Sequence, residues 1–301
     1  MSDAEPSAVV PRTPSPVPVS GPPTVAPVAA FTVDVEDWYQ SSVDFDAPIS
    51  NRVVGNVDRI VALLDEHGVK GTFFVQGLVA RRFPGLVQRL AAEGHEVQSH
   101  GHTHRPLFGM DPAALRAELQ AGRKSVEDAA SLAVTAFRAP DFSIVQKNLW
   151  ALQVLAEEGF RVDSSVFPVR TRRYGISGWK VEPQRLRFPG GTELLEVPVA
   201  TWGRGRLRLP AGGGGYFRLL PLPALVAALR SCIVSGRPPV VYFHPYEFNR
   251  RELDDFRGRV SWPRRLHQGI GRKALEGRVR GVLRAVRFGR LDRVLRTWGL
   301  A

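Results

Sequence analysis

Between residues 29 and 245 the chain alternates short runs of β-forming residues with segments whose apolar residues recur at helical spacing, and this alternation restricts the fold more than any other feature. The β-type runs are AAFTVDV (29–35), KGTFFVQG (70–77), HEVQSH (95–100), TAFRAP (135–140), FRVDSS (160–165), TELLEVPVA (192–200) and PVVYFHP (239–245). Helical periodicity covers residues 57–67, 84–93, 112–130, 148–158 and 223–235, and Gly68, Gly94 and Gly159 follow three of these segments, where a left-handed terminating residue is wanted. Strands joined by crossover helices predict an α/β fold with a parallel sheet. The number of strands predicts an irregular (β/α)7-type barrel over residues 30–250 rather than a small doubly wound sheet. In such barrels the chemistry gathers at the carboxyl ends of the strands.

The flanks differ from this middle. Residues 1–29 are rich in Pro and Ala, which disfavours regular hydrogen-bonded structure and predicts a disordered leader. The leader begins with acidic residues and lacks a basic segment followed by an apolar run, and no stretch of the chain reaches the ~18 apolar residues that span a bilayer. The expected location is therefore cytoplasmic. Residues 251–301 form a basic extension: from Arg250 onward there are 15 Lys and Arg against 5 Asp and Glu, nearly all of the chain's net charge of +12. An apolar face of Leu275, Val279, Val282, Leu283 and Val286 suggests that this tail packs on its own domain, with peripheral membrane contact as the second expectation and nucleic acid a poor fit.

Cys232 is the only cysteine, so a metal would have to be held by His, Asp or Glu. Two clusters offer these. FTVDVEDWYQ places Asp34, Glu36 and Asp37 at the end of an apolar strand, where an uncompensated carboxylate is costly to bury. SHGHTHRP holds His100 and His104 at a separation that lets two imidazoles reach one ion, with His102 pointing elsewhere. Strand alternation puts Glu36 on the face of Asp34 and makes it the carboxylate ligand if the strand continues, whereas Asp37 is the candidate if the chain has already turned. Arg138, Asp163 and His244 stand at later strand ends, and the planar fork of Arg138 suits a carboxylate.

The segments TVDVEDW, SHGHTH, FRAP, VDSS and FHP, in that order, resemble the blocks of the polysaccharide deacetylase (NodB-homology) family over roughly residues 30–250. The wording of DVEDWYQ, FRAPDFSI, VDSSVFP, GGGGYFRLLP and FHPYEF is most similar to its cytoplasmic branch associated with exopolysaccharide gene clusters. The resemblance implies Asp34 as the base, His100 and His104 as metal ligands, Arg138 holding the base, and His244 as the acid, tuned by Asp163. It implies hydrolysis of the N-acetyl amide of an amino sugar in a polysaccharide or lipid-linked precursor, assisted by one divalent ion. Zn²⁺ is the default for this donor set, which Co²⁺, Ni²⁺ and Fe²⁺ also fit. Trp38, Tyr39, Trp202 and Tyr216 are candidate sugar platforms, and AGGGGYFR reads as a flexible crossover or a loop closing over substrate. A deformylase, a cyclic-ureide hydrolase and a non-catalytic basic binding module are the competing expectations.

Overall fold

The computed structural model describes residues 15–17, 28–171 and 173–301. In chain order it contains β1 (Ser15–Val17), β2 (Ala29–Val35), α1 (Trp38–Ser42), α2 (Arg52–Asp65), β3 (Thr72–Val75), α3 (Gly77–Arg82), α4 (Pro84–Ala92), β4 (Glu96–Ser99), α5 (Pro112–Ala130), β5 (Ala136–Phe137), α6 (Trp150–Glu157), β6 (Val162–Asp163) and β7 (Gln184–Arg187). It continues with β8 (Glu193–Glu196), β9 (Thr201–Trp202), β10 (Leu209–Pro210), α7 (Gly214–Leu219), α8 (Leu222–Val234), β11 (Val240–Phe243), α9 (Trp262–Gly269), α10 (Arg272–Ala285), β12 (Phe288–Gly289) and α11 (Leu291–Thr297). Among the described residues no helix is long and apolar enough to cross a membrane.

The fold is α/β with a mostly parallel sheet. Strands β11, β2, β3, β4, β5, β6 and β8 pair in that order, every pair parallel. Each is one of the seven runs visible in the sequence. β2 is buried along its whole length, which explains why it reads as a continuous apolar run and not as an alternating one. Gly68, Gly94 and Gly159 adopt φ of 62°, 85° and 82° at the ends of α2, α4 and α6, the terminating role their position predicts. The seam between β8 and β11 is not a strand ladder. It is crossed by the Ala200 N–H donating to the Val240 carbonyl at 2.8 Å and the Tyr242 N–H donating to the Gly212 carbonyl at 2.8 Å. The sheet thus curves in a way compatible with an irregular barrel whose last joint is irregular backbone.

Two parts differ from expectation. Ser15–Val17, inside the predicted disordered leader, pairs antiparallel with β7 at the sheet's edge, where a proline without an N–H is tolerated; the other leader residues before 28 lie outside the described ones. The glycine-rich stretch 211–214 is buried backbone, not a mobile loop: a Cβ on Gly213 would overlap the Tyr242 ring and one on Gly214 the Glu247 carboxylate. The basic tail packs onto the sheet. α10 buries Leu275, Val279, Val282 and Leu283, and β12 pairs with the start of β2.

Candidate active site

Because β2, β4, β5, β6 and β11 run parallel, the residues that end them share one end of the sheet. β2 ends at Val35, yet Glu36 keeps the strand's alternation and shares the face of Asp34. Glu36 is buried and meets two imidazoles. Its Oε2 contacts His104 Nε2 and lies 3.4 Å from His100 Nε2, while Ser41 Oγ donates to Oε1 at 3.1 Å. One ligand atom from each of Glu36, His100 and His104 lies within 4.8 Å of the others.

The loop carrying the two histidines is held from outside. Glu118 on α5 accepts the N–H groups of His102 at 2.7 Å and Thr103 at 2.6 Å, and His104 takes a left-handed φ of 65°. His100 Nδ1 sits 2.8 Å from the Arg138 carbonyl; a proton on Nδ1 makes that bond and leaves Nε2 as the free lone pair facing Glu36. His102 turns away, its ring against Gly77. Burial by itself would raise the Glu36 carboxyl, but His104 and His100 more than offset this and hold it well below the usual range. Burial would likewise lower His104, and the Glu36 charge reverses that. Glu36 Oε2 and His104 Nε2 face each other, buried without a hydrogen bond, and a cation between them would satisfy both. The donor set of one carboxylate and two imidazoles suits a divalent transition metal.

Asp37 is not part of this cluster. It is the N-cap of α1, its Oδ1 accepting from Tyr39 N at 2.9 Å and Gln40 N at 3.1 Å, and its Oδ2 from Ser50. Both of its oxygens are in use, and the group of potential ligands is formed by Glu36, His100 and His104.

Arg138 is completely buried and donates to Asp34 Oδ1 at 2.8 Å, to Thr32 Oγ1 at 2.6 Å and to Ser164. Its guanidinium also lies over the Phe74 ring, 4.3 Å from the centroid. A planar cation anchored on several sides fixes one oxygen of Asp34 in place.

On the other wall stands His244, directly after β11. Among the described residues the carboxylates within 4.0 Å of its ring belong to Glu36, at 4.0 Å from Nε2, and Glu247, at 3.4 Å from Nδ1. Burial would lower this imidazole, but the hydrogen bond to Glu247 and the nearby carboxylates raise it to about 9. Glu247 was not singled out by sequence reasoning; the signal available was its position three residues after His244, with Pro245 opening a tight turn. The expectation that Asp163 tunes His244 is corrected. Asp163 is fully buried beside Glu196 on the neighbouring strand, and Ser165 Oγ donates to it. Burial pushes both carboxyls up, and Glu196 well above the ordinary range, as for two acids sharing one proton.

Residues 27–162 match the family model described as Polysaccharide deacetylase. This part of the chain, a little under half of it, resembles the polysaccharide deacetylase family. Residues 164–296 match a second model, a domain of unknown function, so His244 and Glu247 lie in a part whose description assigns no role. A chitooligosaccharide deacetylase of Bradyrhizobium sp. (strain ANU 289) is 28% identical over 144 residues, 47% of this chain and 57% of that protein. A peptidoglycan-N-acetylglucosamine deacetylase of Bacillus cereus is 31% identical over 96 residues, 32% of this chain and 35% of that protein. The chain thus spans about half or less of these relatives' length. Among solved structures, a provisionally assigned polysaccharide deacetylase from Mycobacterium smegmatis superposes with a TM-score of 0.59 at 23% identity, covering 94% of this chain and 93% of that one. An allantoinase superposes with a TM-score of 0.59 at 15% identity, covering 90% and 89%. At these identities the superpositions show the fold alone.

The aromatic residues are dispersed. Trp38 is buried against Phe256, with ring centroids 5.1 Å apart, and packs internally, while the half-buried Tyr39 stacks one face on the same Phe256 at 4.9 Å. Tyr216 lies on α7, two residues after Gly214, which abuts Glu247. Trp202 lines a separate cleft with Arg204, Arg208 and Arg237.

Proposed function

We propose that this chain is a metal-dependent N-deacetylase that hydrolyses the acetamido group of an amino sugar in a polysaccharide or its lipid-linked precursor, releasing acetate. One observation carries the reading: Glu36, His100 and His104 converge on one point between the Arg138-held Asp34 and the Glu247-held His244. The family-model match over residues 27–162 and the names of the matched relatives support the substrate class.

Glu36, His100 and His104 would hold the divalent ion, with Zn²⁺ the first to test. Bound there, such an ion supplies Lewis acidity toward the acetyl carbonyl and lowers the pKa of water. The remaining work falls to the chain itself. Asp34, oriented by Arg138, takes the proton from the attacking water as its oxygen bonds to the carbonyl carbon. His244, charged at neutral pH, gives its proton to the nitrogen as the C–N bond breaks, so that a neutral amine leaves and acetate remains. Glu247 holds the ring and favours its charged form.

The test is acetate release by the metal-replete protein from N-acetylated oligosaccharides and lipid-linked precursors, with formate measured in parallel. Acetate from an amino sugar supports the reading. Formate alone, or turnover confined to cyclic ureides, replaces it with the corresponding hydrolase.

A further inference from the structure

A second cleft opens at the other end of the sheet. Arg237 precedes β11 and His244 follows it, a separation of roughly 20 Å for an extended segment of this length. The cleft encloses about 260 Å³ and is walled by Trp202, Arg204, Arg208 and Arg237, with Ser231 from the last turn of α8 and Ser235 at its C-cap. Its arginines are arranged in a costly way. Arg237 is only 5% exposed, and its guanidinium donates to the Thr201 carbonyl at 2.9 Å and approaches the Thr201 hydroxyl at 3.5 Å. Arg208 donates to that same hydroxyl at 3.1 Å. Two cations therefore converge on one neutral residue.

No counter-charge answers them at close range. Among the described residues none of the three arginines has a carboxylate within 4.0 Å; Glu182 lines the cleft without forming such a pair. Buried charge without an opposite partner is strongly unfavourable, and convergent like charges add to it. Burial and the Arg237 charge lower the Arg208 pKa, and the more distant Glu182 only partly opposes them. The C terminus of α8 and the Thr201 carbonyl position Arg237 without supplying a full negative charge.

We infer that this cleft binds an oxyanion carried on a sugar, a phosphate ester or a uronate carboxylate, with the guanidinium groups meeting the anion and the Trp202 ring lying beside the sugar. Planar guanidinium forks match both oxyanions. No residue of the Glu36 cluster or the His244 turn lines the cleft, so the inference stands apart from the deacetylase reading and its test needs no turnover.

The test is thermal shift and calorimetry on the metal-loaded full chain with inorganic phosphate, glucose 6-phosphate, glucuronate and glucose. Phosphate or glucuronate should raise Tm where glucose does not, because a ligand that binds only the folded state stabilises it. The double variant Arg204→Gln/Arg208→Gln, made at the more exposed arginines so that folding is spared, should weaken binding by about tenfold or more. Tighter glucose 6-phosphate identifies the phosphate source and tighter glucuronate the carboxylate. An unchanged shift in the double variant, or no shift by any anion in the parent, overturns the inference; a shift lost in His100→Ala but kept in the double variant assigns the anion to the other end of the sheet and also overturns it.

Discussion

Glu247 Oε2 lies 3.4 Å from His244 Nδ1 and also accepts the His244 backbone N–H at 3.0 Å, so one carboxylate both caps the turn and faces the ring. Arg218 stands 3.5 Å behind it, on the other carboxylate oxygen. When Glu36 holds a cation, its pull on His244 weakens, and the pull of Glu247 remains. Glu247→Gln should therefore lower the His244 pKa and move the alkaline limb of the rate profile to lower pH, because the imidazolium that donates the proton is lost sooner as pH rises. Turnover at neutral pH should fall by about 10²-fold with KM little changed. A profile identical to the parent would separate Glu247 from the acid.

The metal centre is tested by content. His100→Ala and His104→Ala should each lose most of the bound ion, and Glu36→Gln should weaken it, as removing one of three protein donors does. Asp37→Ala should keep the ion and instead destabilise the fold by ~1 kcal/mol, the usual cost of an N-cap. Elemental analysis and a melting curve on the same samples decide the matter. Loss of metal in Asp37→Ala with full retention in Glu36→Gln would transfer the ligand role to Asp37.

The difference between what the sequence disclosed and what it concealed is physical. Asp34, Glu36, His100, His104 and Arg138 were legible because parallel strands deliver their end residues to one place, and alternation along β2 pairs Glu36 with Asp34. The partner of His244 was not, since whether Asp163 or Glu247 reaches its ring depends on how a turn closes after Pro245. Trp38 reads as a sugar platform because an aromatic face can pack against a pyranose ring; its burial depends on Phe256, which is distant in sequence and comes from the tail region. β7 is short and charged at alternate positions, so its QRLR run carried too little apolar signal to read as a strand.

The buried Asp163–Glu196 pair makes a prediction about pH. A carboxyl whose folded pKa is raised contributes stability that is complete below its unfolded pKa and is lost as pH rises through the folded value. Both members are raised, so the parent should lose stability progressively above the ordinary carboxylate range. Glu196→Gln keeps the oxygen that accepts the Val166 N–H at 3.0 Å and adds a donor for Asp163. Melting temperatures across pH 5–9 should show the variant gaining on the parent as pH rises; parallel curves would mean the pair is not the source of the dependence.

The basic tail makes the last prediction, since it both covers the sheet and props the acid turn. α10 buries Leu275, Val279, Val282 and Leu283, and each such side chain contributes roughly 1.5–3 kcal/mol, a large share of a typical margin of about 5–15 kcal/mol. Arg272 donates to the Tyr246 carbonyl and, at 3.0 Å, to that of Asn249, gripping the turn that carries Glu247. Arg218, behind Glu247, in turn donates to the Gln268 carbonyl at 2.7 Å. Truncation after Arg250 should thus give an insoluble or much less stable chain, and Leu275→Ala should cost about 2–5 kcal/mol. Arg272→Gln separates the two roles: it should depress turnover more than stability and leave metal content unchanged, because it loosens the His244 turn without touching Glu36, His100 or His104. A truncated chain that stays soluble, equally stable and active would show that the tail neither packs nor props, and its arginines would then be free for an anionic membrane surface.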